Sequence, residues 1–493
     1  MKADCLVDAP EGKSADASAD SGRWGSLGPV VVAALTALCL GYDAGVMSGA
    51  IGPIRRDFGL SASQEGAAVG CINLVAAFGA LAGGKAADWR GRVPALGTTA
   101  GILLAGPVII AASNGFALLF VGRVVTGIGV GLAFVVAPLY AAEVAPADLR
   151  GSIVSFVEIL INGGVLLGYL SSILLPYGGW RLVTGLAAVP ALLCGLYTPW
   201  LPESPRWLVR EQRMADAEAA LRQLGVEQAA AEKELRAVEA ALAQETAARQ
   251  AGWAEVLCPS VVVRGMLAAG LGCAFFQQIS GSEVIVYYTP RILEHLGITR
   301  HSSQNLGAIA VGVAKFVGAC LGALFLDLVG RRAGVITSCA GVFLCLLGLA
   351  LTSHMVVGLV LLCSFMVFFE LGLAPAAFVL GTECYPVAIR AKALALGMFT
   401  TRFLSGLVAV LFPSILELIS LTTCLWAFCV AAGGGVLWAV FCVPETMGLT
   451  LEQTVRLFEG PSAAAASRPA AGAAEPLPDY GATAPAAGRS NAA

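Results

Sequence analysis

The sequence predicts an all-α membrane protein, with twelve transmembrane helices arranged as two pseudo-symmetric six-helix bundles. Three observations carry that prediction. Of 493 residues, 57% are hydrophobic and only 13% are charged, with a mean hydropathy of +0.80, whereas soluble domains carry roughly a quarter of charged residues. Apolar runs of the length that a bilayer crossing needs, about 20 residues, recur along the whole chain. The two halves of the chain also repeat each other.

In order, the first six runs fall near 27–50, 66–84, 94–112, 117–137, 152–175 and 182–201. The segment before them, 1–26, is a short polar tail with no basic stretch, apolar core and cleavage site in sequence. No signal peptide is evident there, and the first span reads as an uncleaved insertion signal. The first bundle covers 27–202. Between Pro205 and Arg264 the chain becomes AEAALRQLGVEQAAAEKELRAVEAALAQETAARQ, patterned like surface helices, so 203–262 reads as a helical linker. The second six runs, near 263–288, 305–326, 333–353, 355–381, 393–416 and 421–443, place the second bundle at 263–445. The tail, 446–493, is rich in Pro, Ala and Gly after Phe458 and is expected to be disordered.

Orientation follows lysine and arginine. Lys85, Arg90 and Arg92 follow the second span, Arg150 the fourth, Arg206, Arg210 and Arg213 the sixth, Arg331 and Arg332 the eighth, and Arg390 and Lys392 the tenth. All lie on one side, which puts both termini in the cytoplasm; Arg55, Arg56, Arg291 and Arg300 are the exceptions. Most of the 14 cysteines sit inside apolar runs without paired spacing and read as small buried hydrophobes.

The repeat has a period of about 240 residues. Asp88-Trp-Arg-Gly-Arg92 returns as Asp327-Leu-Val-Gly-Arg331, Glu143 through Arg150 as Glu383 through Arg390, and Pro202-Glu203-Ser204 as Pro444-Glu445-Thr446. Parallel repeats of this kind suit a protein that rocks one half against the other. Asp88, Arg92, Glu143, Arg150, Glu203 and Arg206 in the first half, and Asp327, Arg331, Arg332, Glu383, Arg390 and Glu445 in the second, then read as a cytoplasmic gate.

Charges at membrane depth are functional candidates by default. Asp43 in LCLGYDAGVMSGA and Arg123 in ALLFVGRVVTGIGVG form a candidate pair in which the aspartate titrates, because arginine keeps its charge. Glu158 lies one turn from Asn162 on the fifth span. Lys315 is twelve positions from Asp327, about 18 Å inward, and needs an acid, for which Glu283 on the seventh span is the natural candidate. Glu370 is another deep acid, and Arg402 a base that could pair within the cytoplasmic half. Which acid meets which base stays open.

FFQQISGSEVIVYYTPRI places Gln277, Gln278, Glu283, Tyr287 and Tyr288 on one span. On an ideal helix Gln278 and Glu283 are about 140° apart, so a break at Ser280-Gly281-Ser282 is expected if they share a cavity. Such a lining suits a neutral polyhydroxylated solute better than a lipid or an inorganic ion.

GYDAGVMSGA, the ADWRGR and LDLVGRR repeats, GRVVTGIGVGLAFVVAPLYAAEVAPADLRG, PESPRWL, QQISG with VYYTPRI, and PETMG together resemble the sugar porter family of the major facilitator superfamily, from about residue 27 to about 458. The nearest likeness is to plant-type polyol/monosaccharide proton symporters. The resemblance implies the major facilitator fold, alternating access and a central site of hexose or polyol size. It further implies that Asp43 carries the proton with Arg123 as its partner, and that Gln277 and Gln278 bind hydroxyls. Phe378 stands where the family has a tryptophan over the sugar, Thr401 where it has an amide, and Val93 where it has a basic residue.

The expectation is a proton-coupled symporter of a polyol or monosaccharide, with Gln277, Gln278, Glu283, Tyr287, Glu158, Lys315 and Phe378 lining the site. The alternatives are a facilitator without proton coupling and a sugar sensor that does not transport. The partners expected are a small neutral polyhydroxylated solute, protons and the lipid bilayer, with no nucleic acid; the chain is expected to be monomeric, in the plasma membrane or alternatively a vacuolar or other organelle membrane. No nucleophile–base–orienter set, metal spacing or phosphate loop is present in the sequence, so no enzyme activity, cofactor or metal is expected.

Overall fold

The computed structural model describes residues 12–145, 150–248, 253–449 and 453–458. The tail expected to be disordered beyond Phe458, and the side chain of Arg150, lie outside the described residues. Among those described, all regular structure is helical.

The first half runs α1 (Gly12–Phe58), α2 (Ala62–Arg90), α3 (Arg92–Ala111), α4 (Phe116–Val144), α5 (Arg150–Ser171), α6 (Leu175–Gly185) and α7 (Ala188–Tyr197). Four short helices follow: α8 (Pro205–Arg210), α9 (Met214–Gln223), α10 (Gln228–Ala248) and α11 (Trp253–Leu257). The second half runs α12 (Val261–Ile279), α13 (Ser282–His295), α14 (His301–Val329), α15 (Arg331–Leu351), α16 (Met355–Phe368), α17 (Ala374–Glu383), α18 (Val387–Leu418) and α19 (Leu421–Cys442). A π-helical turn, Phe369–Leu373, joins α16 to α17.

Among the described residues, 11 helical segments are long and apolar enough to cross a membrane. One of them, Phe156–Trp200, has 45 residues and would extend about 67 Å, twice a bilayer core. It reverses at Gly179, where φ is +67°, and so supplies two crossings, α5 and the α6–α7 pair. Twelve crossings result, and the chain is a multi-pass integral membrane protein.

Local sequence explains the ends. Ser61, Ser204, Ser260 and Ser420 cap α2, α8, α12 and α19, each side chain accepting a backbone N–H of the first turn, a role that short hydroxyl side chains fill well. The glycines of the repeated Asp-x-x-Gly-Arg motif, Gly91 and Gly330, have φ of +102° and +92°. A side chain there would be strained, so each motif is a sharp reversal between two crossings.

In the first half α1 packs on α5, and α4 on α2 and α3; in the second, α12 packs on α18, and α15 on α16 and α19. The halves meet through α2 with α18, α5 with α14 and α1 with α13. The α2–α18 seam is nearly bare backbone: a Cβ on Gly70 would lie 2.6 Å from the amide nitrogen of Val410, and one on Gly406 2.5 Å from that of Leu74. Apart from the membrane helices, Trp207, Leu208, Ala217, Leu221 and Leu235 of α8–α10 form a small apolar core of their own.

Candidate functional site

The predicted break in the seventh span is present. Helix α12 ends at Ile279, Gly281 takes φ +84°, and α13 starts at Ser282. The freed carbonyl of Gln277 accepts the hydroxyls of Ser280 (2.9 Å) and Ser282 (3.2 Å). A Cβ on Gly281 would press to 2.9 Å from the Phe428 ring, so the position has two reasons to be glycine. The break turns Gln277, Gln278, Ser282, Glu283 and Tyr287 onto one cavity, as the helical-wheel argument required.

That cavity lies between the halves and has an empty volume of about 750 Å³. Asp43, Asn73, Glu158 and Asn162 reach it from the first half; Lys315, Glu370 and Arg402 join the α12–α13 residues from the second. Five residues, among them Glu158, Glu370 and Phe134, also line an adjoining chamber of about 790 Å³ that is otherwise apolar. Phe378 lines this second chamber and not the polar one. It stacks on Phe134 across the halves, with ring centroids 6.5 Å apart.

Asp43 and Arg123 meet as expected. One guanidinium nitrogen donates to both carboxylate oxygens at 2.8 Å. The other two donate to the carbonyls of Ala68 (2.5 Å) and Val69 (3.0 Å) on α2, and Arg123 has no exposed surface. The arginine is thus held by backbone as well as by the acid. Only the acid lines the cavity.

The expected Lys315–Glu283 pairing is not formed. Lys315 binds Glu370 instead, and Asn162 donates to the other Glu370 oxygen at 3.4 Å. Helix packing decides this: α14 lies against the π-turn that carries Glu370, and a Cβ on Gly318 would touch that of Glu370 at 3.0 Å. Ser338 of α15 secures the π-turn, donating to the carbonyl of Phe368 (2.6 Å) and accepting from the N–H of Leu373 (2.9 Å). Glu283 has no hydrogen bond or ion pair among the described residues and stays on the cavity wall.

Two further expectations are corrected. Among the described residues Arg402 pairs with no acid; it crosses to the first half, where it donates to Asn73 (3.4 Å) and lies 4.4 Å over the Phe134 ring. Tyr288 faces away from the cavity, donating to Ala409 (3.0 Å) and packing on Phe412, because residues adjacent on a helix point about 100° apart. Tyr287 alone remains, accepting from Asn73 at 3.1 Å.

Asn73 was missed by the sequence reading, and so was Glu65. Glu65 is 1% exposed and binds Arg55 (3.2 Å) of its own half and Arg291 (2.5 Å) of the other. The signal was available: Arg55 and Arg291 are exceptions to the basic-residue distribution, and a base on the minority side asks for an acid.

The repeated motifs form two networks at the opposite face. Arg92 donates to both oxygens of Glu143 (2.7 and 2.9 Å) and to Asp88 (3.1 Å); Arg331 meets Glu383 (3.0 Å) and Asp327 (2.9 Å). Glu203 accepts the N–H groups of Arg92, Val93 and Ser204, and Glu445 those of Arg331, Arg332 and Met447. Arg390 donates to the carbonyl of Tyr385 at 3.0 Å and Arg332 to that of Val440 at 2.7 Å; Arg206, at the start of α8, is half-buried. Each arginine–glutamate pair joins helices of one half.

Residues 30–458 match the family described as "Sugar (and other) transporter". Polyol transporter 5 of Arabidopsis thaliana is 34% identical over 463 residues, covering 87% of this chain and 85% of that one. Among solved structures, the proton:xylose symporter XylE bound to 6-bromo-6-deoxy-D-glucose superposes with a TM-score of 0.73 at 26% identity, covering 88% of this chain and 99% of that chain. The inward-open form of XylE from E. coli gives 0.75 at 27% identity over the same shares.

Proposed function

We propose that this chain, which belongs to the sugar transporter family of the major facilitator superfamily, carries a polyol or monosaccharide across its membrane together with protons, by alternating access. The observation that carries this reading is that Asp43 lines the same cavity as Gln277, Gln278 and Glu283. A proton site and a hydroxyl-binding site in one cavity can bias each other. Ionised Asp43 is fully engaged by Arg123; protonation weakens that pairing, and Arg123 keeps its two backbone acceptors. The acid is then free to move with α1.

Gln277, Gln278, Ser282 and Asn162 supply amide and hydroxyl groups, and Glu283 a carboxylate that only accepts, so the lining matches donor-rich neighbouring hydroxyls. Glu158 and Glu283, neither in an ion pair among the described residues, disfavour an anionic solute. Relatives named for a polyol and for proton:xylose symport support the same class.

The cross-half contacts at Glu65–Arg291 and Gly70–Val410 and the basic residues gathered at the opposite face support reading that face as cytoplasmic and the conformer as inward-facing. In vesicles, labelled polyols and hexoses should accumulate only with a pH gradient. Asp43→Asn should abolish accumulation while leaving exchange of solute measurable. Equal net flux with the gradient collapsed would replace symport with facilitation, and binding without flux would make the protein a sensor.

A further inference from the structure

Three charges in the polar cavity do not balance as pairs. Lys315 and Glu370 satisfy each other within the second half, and Glu158, from the first half, lines the same cavity with no hydrogen bond or ion pair on its carboxylate among the described residues. Lys315, Glu370 and Arg402 are the charged groups whose fields reach it. Two cations thus face Glu158, and Lys315 is the one that already holds a carboxylate of the opposite half.

Helix packing says which way this changes when the halves rock. Helices α5 and α14 touch where Tyr169 lies on Gly312, a Cβ there falling 2.5 Å from the ring, and again where Gly163 faces Phe316 at 3.5 Å. Tyr169 also donates to the carbonyl of Val286 (2.7 Å), on the side of the Glu65 seam. Glu158 is five residues beyond Gly163 towards the face of Arg92, about 7.5 Å along the helix, and Lys315 is adjacent to Phe316. Closing the Arg92 face about these contacts swings Glu158 towards Lys315.

We propose that Lys315 is exchanged between Glu370 and Glu158 as that face closes, so that Glu158 is a positioning residue of the transport cycle and not a ligand of the solute. Lys315 then carries a charge contact from one half to the other in the closed form and withdraws it in the form described. The carboxylate left behind in each form faces the cavity. The inference rests on alternating access and is independent of proton coupling at Asp43.

The test uses the full chain in sealed vesicles with Ala319→Cys, a position in the apolar chamber, as a reporter for an impermeant maleimide applied from the Arg92 face without solute. Glu158→Gln removes the second partner and should raise the labelling rate about threefold or more. Glu370→Gln releases Lys315 to Glu158 and should lower it by a similar factor. A residue that only binds solute would leave solute-free labelling unchanged; that result, or both substitutions moving the rate in one direction, overturns the exchange. Should Glu370→Gln not accumulate, Lys315→Gln decides. On that background Glu158→Gln should have no further effect, and an undiminished effect refutes the pairing. Loss of gradient dependence in Asp43→Asn with these shifts intact would separate the two proposals.

Discussion

The two networks at the Arg92 face come from one repeated motif and are built to different tightness. In the first half, the side chains of Arg92 and Glu143 are 6% and 7% exposed; in the second, those of Arg331 and Glu383 are 14% and 28% exposed. The difference comes from the linker. Ser204 at the start of α8 donates to Glu143 (2.5 Å), Arg210 binds Asp88 (2.7 Å) and Trp207 donates to its carbonyl (3.0 Å). In the second network Thr446 donates to Glu383 in the place that Ser204 takes on Glu143. Repeated sequence thus sets the pairing, and non-repeated sequence sets how hard the pair is to break. The looser half is the one expected to rearrange first.

Glu143→Gln should show the contrast between the halves at its largest. It strands a buried guanidinium, at a cost of about 3–5 kcal/mol, against about 1.5–3 kcal/mol for Glu383→Gln, where water reaches the partner; thermal unfolding in detergent measures both. Equal losses would mean that the exposure difference has no energetic meaning. Ser204→Ala removes a helix cap and a hydrogen bond to Glu143 and should cost about 1–2 kcal/mol, more than Thr446→Ala in the same assay. Arg210→Ala, on a half-exposed pair, should cost less than about 1 kcal/mol and should fade in high salt.

The smallest effect is a difference in sign. Burial holds the Glu203 carboxyl above its ordinary value, although three N–H groups donate to it. Burial acts on Glu445 too, but there the N–H groups of Met447, Arg331 and Arg332 prevail and hold it below. The fold therefore favours protonated Glu203 and ionised Glu445. The stability advantage of the native chain over Glu203→Gln should shrink as pH rises through the ordinary glutamate range, and its advantage over Glu445→Gln should shrink as pH falls through it. Parallel slopes would refute the distinction.

Depth was legible in the sequence, and neighbourhood was not. Hydropathy placed the crossings, and the 240-residue repeat divided them. Asp43 and Arg123 could be matched because each half supplied few charges at that level. Gly281 could be read as a break because two polar groups 140° apart had no other way to share a cavity. Lys315 went to the wrong acid because its partner depends on which helix its own one touches, and that is decided by small residues such as Gly318 that carry no charge pattern. Glu65 escaped because it sits one residue before the apolar run. Asn73 escaped because a neutral amide raises no alarm in a hydropathy trace. The sixth span, read as one helix at 182–201, instead begins at the reversal of Gly179 and is divided between α6 and α7.

Ser338 also governs phase along the tenth crossing. A π-turn holds one residue more than the α-helical count, so everything after Leu373 is rotated by about 100° relative to an uninterrupted helix. Phe378 meeting Phe134, and Glu383 meeting Arg331, both depend on that added angle. One neutral hydroxyl on α15, accepting from one side of the turn and donating to the other, thus keys the direction in which the inner half of the crossing faces. An aromatic contact and a charged network more than a helical turn apart are set by the same oxygen atom.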